Sequence, residues 1–227
     1  MRVVYLGHSA LWIQTERHSI LIDPFLTGNP AASAKADDFR PDAILLTHGH
    51  GDHVGDAAAI AKRSGALVVA GYELAAWLEA QGVNAHGMGL GGSHVFPFGR
   101  VKLTLAFHGG GIDTPAGIVY GGPPAGVLLY ADGKTLYHAG DTGLFGDMRQ
   151  IGERNEIDLA ALPIGDNFTM GPEDAREAAR WLRAKAVLPI HYNTFPLIAQ
   201  DGDRFAAELR TGGIAGHALK PGEAVTL

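Results

Sequence analysis

Four side chains that can bind metal ions crowd into the segment ILLTHGHGDH, directly after an apolar run. They are His48, His50, Asp52 and His53. Imidazole nitrogen and carboxylate oxygen together suit zinc and other first-row divalent ions. Because side chains two apart share a side of an extended chain, His48, His50 and Asp52 are expected to converge, whereas His53 must point elsewhere. The segment therefore predicts a metal site.

The same segment also fits the polar start of a helix over DHVGDAAAIAKR, with Asp52 as its N-cap. That interpretation explains Asp52 but leaves three neighbouring histidines unexplained. The chain has eleven histidines among 227 residues, so a chance match to H-x-H-x-D-H has odds on the order of one in several hundred. Metal binding is the favoured interpretation.

Three further metal-capable residues end apolar runs elsewhere in the chain. VKLTLAFHGG contains His108, TLYHAGDTG contains Asp141, and AVLPIHYNTF contains His191. Taken singly, a His or Asp at the end of a strand is more often a cap or turn residue. Their joint occurrence with the first cluster favours a shared site at the carboxyl ends of the strands, where such sites commonly assemble.

Composition limits the classes of function. The chain has 46% hydrophobic and 19% charged residues, and its formal net charge is -6, so the overall electrostatics do not favour nucleic acid or anionic membranes. There is no cysteine, which excludes thiolate ligands and nucleophiles. No apolar stretch is long enough for a membrane span or a signal-peptide core, so we expect a cytoplasmic protein. A single domain over residues 1–227 is expected from the length.

Apolar periodicity predicts interleaved strands and helices. The predicted strands are Val3–Leu6, Leu11–Gln14, Ile20–Ile22, Ala43–Leu46, Leu67–Val69, Val101–Ala106, Val127–Tyr130, Leu136–His138, Ile157–Leu162 and Val187–Ile190. The predicted helices are Val54–Lys62, Tyr72–Ala80, Pro172–Arg183 and Asp203–Arg210. No helix is predicted among the first four strands, which suggests antiparallel meanders. The whole pattern favours an α/β fold of two mixed sheets with helices outside.

One irregular stretch, Gly109–Gly126, contains seven glycines and three prolines between two predicted strands. It is long for a connection and begins directly after His108. Two interpretations stay open at this point, a floppy hairpin connection and a lid that contacts substrate.

Six segments together resemble the metallo-β-lactamase superfamily, whose ordered motifs are H-x-H-x-D-H, a lone His, a lone Asp and a last His. The segments are GHSA, ILIDPF, THGHGDHVGD, YHAGDTG, LPIGDNFTMGPEDA and PIHYNTFP. More narrowly they resemble bacterial metal-dependent hydrolases related to ascorbate-6-phosphate lactonase. The resemblance spans nearly the whole chain and implies the metallo-β-lactamase fold, a four-layer αββα sandwich of two mixed β-sheets flanked by helices.

The resemblance also implies two divalent metal ions. His48, His50 and His108 would hold the first ion, and Asp52, His53 and His191 the second, with Asp141 bridging both. We expect zinc, and the ligands are also compatible with manganese, iron or nickel. The implied function is hydrolysis of a small-molecule ester, lactone or phosphodiester by a metal-bridging hydroxide.

Supporting roles are expected for three residues near these ligands. Asp23 is a candidate hydrogen-bond acceptor for the second ring nitrogen of a ligating imidazole, or else a turn residue before Pro24. His8 is a candidate catalytic residue, as a substrate contact or proton donor, or else a turn histidine with satisfied hydrogen bonds. Asp52 is a candidate proton acceptor in addition to its role as a ligand, although ligation alone is favoured.

Substrate contacts are expected from Asn167 and Thr169, in the loop before the helix at Pro172, and from Asn193. His138 lies three residues before Asp141, so strand alternation places it on the opposite face as a buried core histidine.

Alternative functions of a different class stay open. One is a nuclease acting on RNA or DNA, and another is a non-catalytic metal-binding protein. The chain has His50 where flavin-linked diiron relatives have Glu, and it lacks the Cys of the main zinc β-lactamases. The expected partner is a small-molecule substrate, with neither nucleic acid nor membrane, and homo-oligomerisation is left open.

Overall fold

The computed structural model describes all 227 residues. Its strands are β1 (Arg2–Gly7), β2 (Ala10–Gln14), β3 (Ser19–Ile22), β4 (Ala43–Leu45), β5 (Leu67–Gly71), β6 (Ala85–Met88), β7 (Ser93–Phe96), β8 (Gly99–Leu105), β9 (Gly111–Thr114), β10 (Gly117–Tyr120), β11 (Ala125–Ala131), β12 (Lys134–His138), β13 (Leu159–Pro163), β14 (Ala186–Ile190), β15 (Ala215–Gly216) and β16 (Ala224–Thr226). Its α-helices are α1 (Gly51–Val54), α2 (Ala57–Ser64), α3 (Tyr72–Glu79), α4 (Met148–Arg154), α5 (Pro172–Trp181) and α6 (Gly202–Thr211). Two short 3₁₀ turns cover Ala36–Asp38 and Pro196–Ile198.

The strands form two mixed sheets of seven strands each and one separate hairpin. The first sheet has the order β16-β1-β2-β3-β4-β5-β6, and the second has the order β15-β14-β13-β12-β11-β8-β7. Strands β3 to β6 run parallel, as do β12 to β15. The remaining pair, β9 and β10, is an antiparallel hairpin outside both sheets.

Three apolar clusters hold the layers together. One lies between the sheets and takes residues from both, such as Ile13 and Leu129. A second packs α2 and α3 against the first sheet, and a third packs α4, α5 and α6 against the second sheet. Central strands such as β13 and β14 are buried throughout, as expected for parallel strands covered on both faces. The layers are therefore helix, sheet, sheet and helix, which confirms the expected αββα sandwich.

The parallel strands and β1 and β8 direct their carboxyl ends to the same edge of the sandwich. The candidate ligands and Asp23 follow β3, β4, β8, β12 and β14 in the chain, and His8 follows β1. The polar residues that were predicted at strand ends therefore lie along this one edge.

All ten predicted strands are present, and two predictions about the connections are wrong. The first four strands are not all antiparallel, because β3 and β4 pair in parallel across the long segment that contains a 3₁₀ turn. The helix expected over Val54–Lys62 is broken into α1 and α2 at Gly55, which has φ of 42°. A Cβ at Gly55 would lie 2.5 Å from the Pro24 oxygen, so this close approach of backbone requires glycine.

The stretch Gly109–Gly126 is not irregular throughout. It contains the β9–β10 hairpin, in which Ile112 is paired with Val119. No helix in the structure is long and apolar enough to cross a membrane.

Candidate metal centre

The structure brings the predicted ligand side chains together in two adjacent groups. The ligand atoms of His48, His50 and His108 lie within 4.8 Å of one another. The same limit joins a second group, which consists of His8, Asp52, His53 and His191. These are the two sets that the resemblance implied, with His8 added to the second.

Asp141 lies where the two groups meet. Its Oδ2 is 3.0 Å from His191 Nε2 and 3.3 Å from His53 Nε2, both in the second group. The same oxygen is 3.6 Å from His108 Nε2 in the first group. A carboxylate in this position reaches both sets of imidazoles.

The start of helix α1 divides the H-x-H-x-D-H segment between the two groups. The chain is extended up to His50, so His48 and His50 share a side, and their facing nitrogens Nε2 and Nδ1 are 2.9 Å apart. The helix begins at Gly51 and turns Asp52 and His53 toward His191. The expectation that Asp52 would converge with His48 and His50 is therefore wrong, because the extended geometry that it assumed ends one residue earlier.

Unusual backbone conformations place several of these residues at the strand ends. His8, Asp23 and His191 have φ of 57°, 45° and 54°. This left-handed region is uncommon for residues other than glycine and is concentrated at functional sites. Each of these residues directly follows the last residue of a strand, so the chain turns sharply there and the side chain enters the cluster.

Asp23 fixes the protonation of one histidine from each group. Thr47 Oγ1 donates to Asp23 Oδ2 at 2.6 Å, so its only proton is used and it accepts from His48 Nδ1 at 2.9 Å. His53 Nδ1 donates to the same Asp23 oxygen at 2.8 Å. In both imidazoles Nδ1 therefore carries a proton, and Nε2, which faces the cluster, is the nitrogen available to a metal ion.

Several buried polar atoms in the cluster have no hydrogen-bond partner. These atoms are His53 Nε2, Asp141 Oδ1 and both ring nitrogens of His191. Buried polar atoms are nearly always satisfied, so several unpaired ligand atoms in one cluster need an explanation. Divalent cations supply one, since neutral imidazole and ionised carboxylate are their ordinary ligands. The residues present fit a metal centre.

The electrostatics of the cluster keep the carboxylates of Asp52 and Asp141 ionised. Burial works against the charge of Asp141, but His53 and His191 outweigh it and hold the pKa of Asp141 well below its usual range. Burial likewise opposes protonation of His191, but Asp141 and Asp52 raise the pKa of His191 to about 9. Without metal, protons on these imidazoles balance the carboxylates. Divalent cations would take over that role.

His8 is fully buried, and both of its ring nitrogens are engaged. Nδ1 lies 2.8 Å from Thr194 Oγ1, and Nε2 lies 3.1 Å from Asp52 Oδ2. Burial lowers the pKa of His8 to about 4, despite the hydrogen bond to Asp52. His8 is therefore neutral at ordinary pH and holds one oxygen of Asp52.

The β9–β10 hairpin is packed on the loop that carries the first group. A Cβ at Gly49 would lie only 2.6 Å from Ile112 Cγ1, so the buried Ile112 side chain lies directly on the backbone between His48 and His50. At the base of the hairpin, a Cβ at Gly109 would lie 3.6 Å from the His50 ring. The hairpin thus borders the candidate metal centre.

The predicted substrate contacts lie outside the cluster itself. Asn167 is exposed, and the Thr169 hydroxyl donates to the Met170 oxygen within the same loop. The Asn193 side-chain oxygen accepts from Gln200 N at 2.8 Å. Asn193 lines a surface cavity of about 800 Å³, which contains none of the candidate ligands.

Other residues of the site were missed or were assigned to the core. Thr47, the partner of His48, had no signal in the sequence beyond its position next to that histidine. Thr194, the partner of His8, follows His191 by three residues, in a segment that could be expected to line the same groove. His138 is fully buried, with Nδ1 accepting from Gly140 N at 3.1 Å and Nε2 donating to the Ser9 oxygen at 2.9 Å. The prediction of a satisfied core histidine is confirmed.

Comparisons with known proteins agree with this geometry. The model of the beta-lactamase superfamily domain matches residues 18–192. A UPF0173 metal-dependent hydrolase of Geobacillus sp. strain WCH70 is 61% identical over 228 residues, and one of Bacillus thuringiensis subsp. konkukian strain 97-27 is 58% identical over 229 residues. Both alignments cover 100% of each chain. Among solved structures, the metallo hydrolase Igni18 of the hyperthermophilic archaeon Ignicoccus hospitalis KIN4/I superposes with a TM-score of 0.91 at 37% identity, covering 99% of this chain and 97% of that one.

Proposed function

We infer the chemistry from the family to which the chain belongs, the metallo-β-lactamase superfamily, in which it is a metal-dependent hydrolase. We propose that this chain holds two divalent cations, which we expect to be zinc, and that it hydrolyses a small-molecule ester, lactone or phosphodiester. The observation that carries the proposal is the pair of ligand groups joined by Asp141.

In this proposal each group holds one cation. His48, His50 and His108 take the first through their imidazole nitrogens. The second is taken by Asp52, His53 and His191, and Asp141 serves both. The distances from Asp141 Oδ2 to imidazoles of both groups support the bridging role.

A pair of divalent cations supplies an activated water nucleophile and stabilises the negative charge that develops on the attacked centre. The chain itself supplies orientation and proton control. Asp23 and Thr47 keep the Nε2 lone pairs of His48 and His53 free for ligation. Ligation is also the main role that we propose for Asp52, whose carboxylate has a second oxygen to accept a proton.

We propose that His8 positions Asp52 and does not contact substrate. Its complete burial and its two hydrogen bonds support this role, because no ring nitrogen is left for a substrate. Replacing His8 with Ala should leave two metals per chain and lower kcat. Loss of one metal equivalent would instead make His8 a ligand, which its place in the second group would also permit.

The function is tested by turnover with and without metal. The purified chain is stripped with a chelator, reloaded with zinc, manganese, iron or nickel, and offered lactones, aryl esters and aryl phosphodiesters. We expect turnover of at least one class that disappears with chelator and returns with metal. A filled site with no turnover of any class would overturn the proposal in favour of a binding protein.

A further inference from the structure

Most of the large apolar side chains that the chain leaves exposed lie on the loops around the candidate metal centre. We call six of them the apolar rim: Phe107 is 69% exposed, Ile118 76%, Tyr120 75%, Phe168 55%, Phe195 40% and Leu197 63%. Exposed apolar side chains that cluster at a site mark a binding surface more often than single scattered ones do. The apolar rim is therefore a candidate binding surface.

The rim residues are attached to the centre through short, specific contacts. Phe107 precedes His108, and its amide donates to Thr142 Oγ1 at 2.9 Å, next to Asp141. Phe195 lies with its ring centroid 5.8 Å from that of His8. Ile118 and Tyr120 stand on the hairpin whose Ile112 packs on Gly49. Phe107 and Phe195 thus lie beside residues of the candidate centre, and Ile118 and Tyr120 lie on a hairpin that packs on the loop between His48 and His50.

Alternation along the hairpin separates a packed face from an open one. Ile112 is paired with Val119, and at 2% and 39% exposed they are the less exposed residues of the hairpin's apolar set, so this pair lies on the side nearer the protein. Ile118 is paired with Asp113 and Tyr120 with Gly111, so both lie on the other face, where each is about three-quarters exposed. The packing of the hairpin does not require an apolar residue at either position.

The same loops contain no lysine or arginine. Residues 23–34, 46–61, 103–133, 135–148, 155–175 and 186–203 include neither Lys nor Arg. They do carry exposed carboxylates, among them Asp113, Asp147, Asp166 and Asp201. At the start of α5, Glu173 and Asp174 already complement the helix dipole. These loops would offer an anionic substrate no lysine or arginine, and anion recognition in proteins commonly uses Arg, Lys or a free helix N-terminus.

We propose that the substrate is a neutral ester or lactone that carries an apolar alkyl or aryl group, and that the apolar rim binds that group. This inference rests on the proposed function and narrows its substrate class. In the reaction, water adds to the carbonyl carbon, the bond from that carbon to the ring or ester oxygen breaks, and the products are a carboxylate, a hydroxyl group and one released proton. Phosphodiesters and nucleic acids, which are anionic beyond the reacting bond, are excluded as the preferred class.

The test compares matched neutral and anionic substrates on the metal-loaded chain. The neutral series is γ-lactones with alkyl side chains from methyl to heptyl, and the anionic probe is methyl p-nitrophenyl phosphate. Because burial of one CH₂ group contributes about fourfold when complete, half-burial of the added chain predicts a rise in kcat/KM of about tenfold or more along the series. The anionic probe should be the poorest substrate.

Two variants test whether the rise in kcat/KM with chain length comes from the apolar rim. Ile118→Ser should lower the ratio of kcat/KM for the heptyl lactone to kcat/KM for the methyl lactone about fivefold. Val95→Ser is the matched control, since Val95 is also an exposed apolar strand residue, at 72%. It lies on β7, away from the candidate centre, and is paired with Arg100, which stacks on Tyr130 of β11. Both positions are exposed, so both variants should fold.

Each contrary result has a distinct meaning. A flat response to chain length, or a preference for the phosphodiester, would overturn the apolar substrate while the hydrolase function stands. A dimer in sedimentation that Ile118→Ser dissociates would show that a second copy of the chain covers the rim, and would also overturn the inference. No turnover of any substrate by the metal-loaded chain would overturn the proposed function as well.

Discussion

At the scale of single residues, one buried carboxylate organises both halves of the candidate centre. Asp23 accepts from Thr47 N at 2.9 Å, from Thr47 Oγ1 at 2.6 Å and from His53 Nδ1 at 2.8 Å. Through Thr47 it also fixes His48. Partners of this kind orient ligands and raise their basicity. Asp23 therefore links the two groups through hydrogen bonds on the Nδ1 side of the His48 and His53 rings, whereas Asp141 lies between the groups on the Nε2 side.

Replacing Asp23 with Asn should weaken metal binding without emptying the ligand set. The amide keeps the shape but cannot accept from both Thr47 and His53 as an anion does, so we expect an apparent affinity for zinc about tenfold to a hundredfold lower. Competition with a fluorescent chelator measures this. Asp42→Asn is the control, because exposed Asp42 caps Ser19 N away from the centre. Unchanged affinity in the Asp23 variant would contradict the account.

The bridging role of Asp141 gives a second prediction. Asp141→Ala should lower the occupancy of both metals, whereas His53→Ala should chiefly empty the second, because the Asp141 carboxylate lies near imidazoles of both groups. Elemental analysis of the purified variants gives metals per chain. Exposed Asp147 supplies the matched control, as Asp147→Ala. Two full metals in the Asp141 variant would rule out the bridge.

The sequence predicted the candidate ligands better than their partners. His48, His50, His108 and His191 stand in motifs with fixed spacing or at the ends of apolar runs, which are local features. The bond from Thr47 to Asp23 joins positions 24 residues apart, and the bond from His8 to Thr194 joins positions 186 apart. Such pairs depend on which strands become neighbours, so no local pattern indicates them.

At the scale of elements, helix α1 and the β9–β10 hairpin shape the centre. The four-residue helix α1 redirects Asp52 and His53. The hairpin was missed because its outer face is exposed and its glycines hide the alternation by which strands are identified. Strands β6 and β7 were missed for a similar reason, since they lie at sheet edges and are largely exposed.

Adding one methyl group at Gly49 should push the β9–β10 hairpin and the loop between His48 and His50 apart. In Gly49→Ala the new Cβ would lie 2.6 Å from Ile112 Cγ1 and 2.9 Å from the Gly111 oxygen, so either the hairpin or the loop between His48 and His50 must move. Displacement of a reacting geometry by about 1 Å costs up to about a hundredfold in rate, and we expect kcat/KM at least about tenfold lower. Gly146→Ala is the control, because nothing lies within 4 Å of its new Cβ. Wild-type kinetics in the Gly49 variant would show that this contact does not position the loop.

At the scale of the whole molecule, the two sheets bring strand ends that are far apart in sequence to one edge. The interleaved helices and apolar runs were enough to predict the layers, because burial on both faces of parallel strands leaves a strong pattern in β13 and β14. The order of the strands was not predictable in the same way. It places β16 beside β1 through pairing of the chain's two ends.

Metal binding should couple to stability and pH. The pKa of His191 is raised from 6.5 to about 9 by Asp141 and Asp52, against the effect of burial. In the metal-free chain this contribution to stability is complete below about pH 6.5 and is lost as the pH rises through about 9. A cation must displace that proton, so the rise in Tm caused by buffered zinc should grow between these pH values. Thermal unfolding with and without zinc checks this, and a rise that shrinks with pH would contradict it.

The central claim is that hydrolysis needs both metal groups. The most direct test is the rate of hydrolysis of one lactone substrate as zinc is added stepwise to the stripped chain, with bound metal measured in each sample. Activity is expected to increase until two zinc ions are bound per chain and then to level off. Full activity at one bound zinc, or no activity at two, would contradict it.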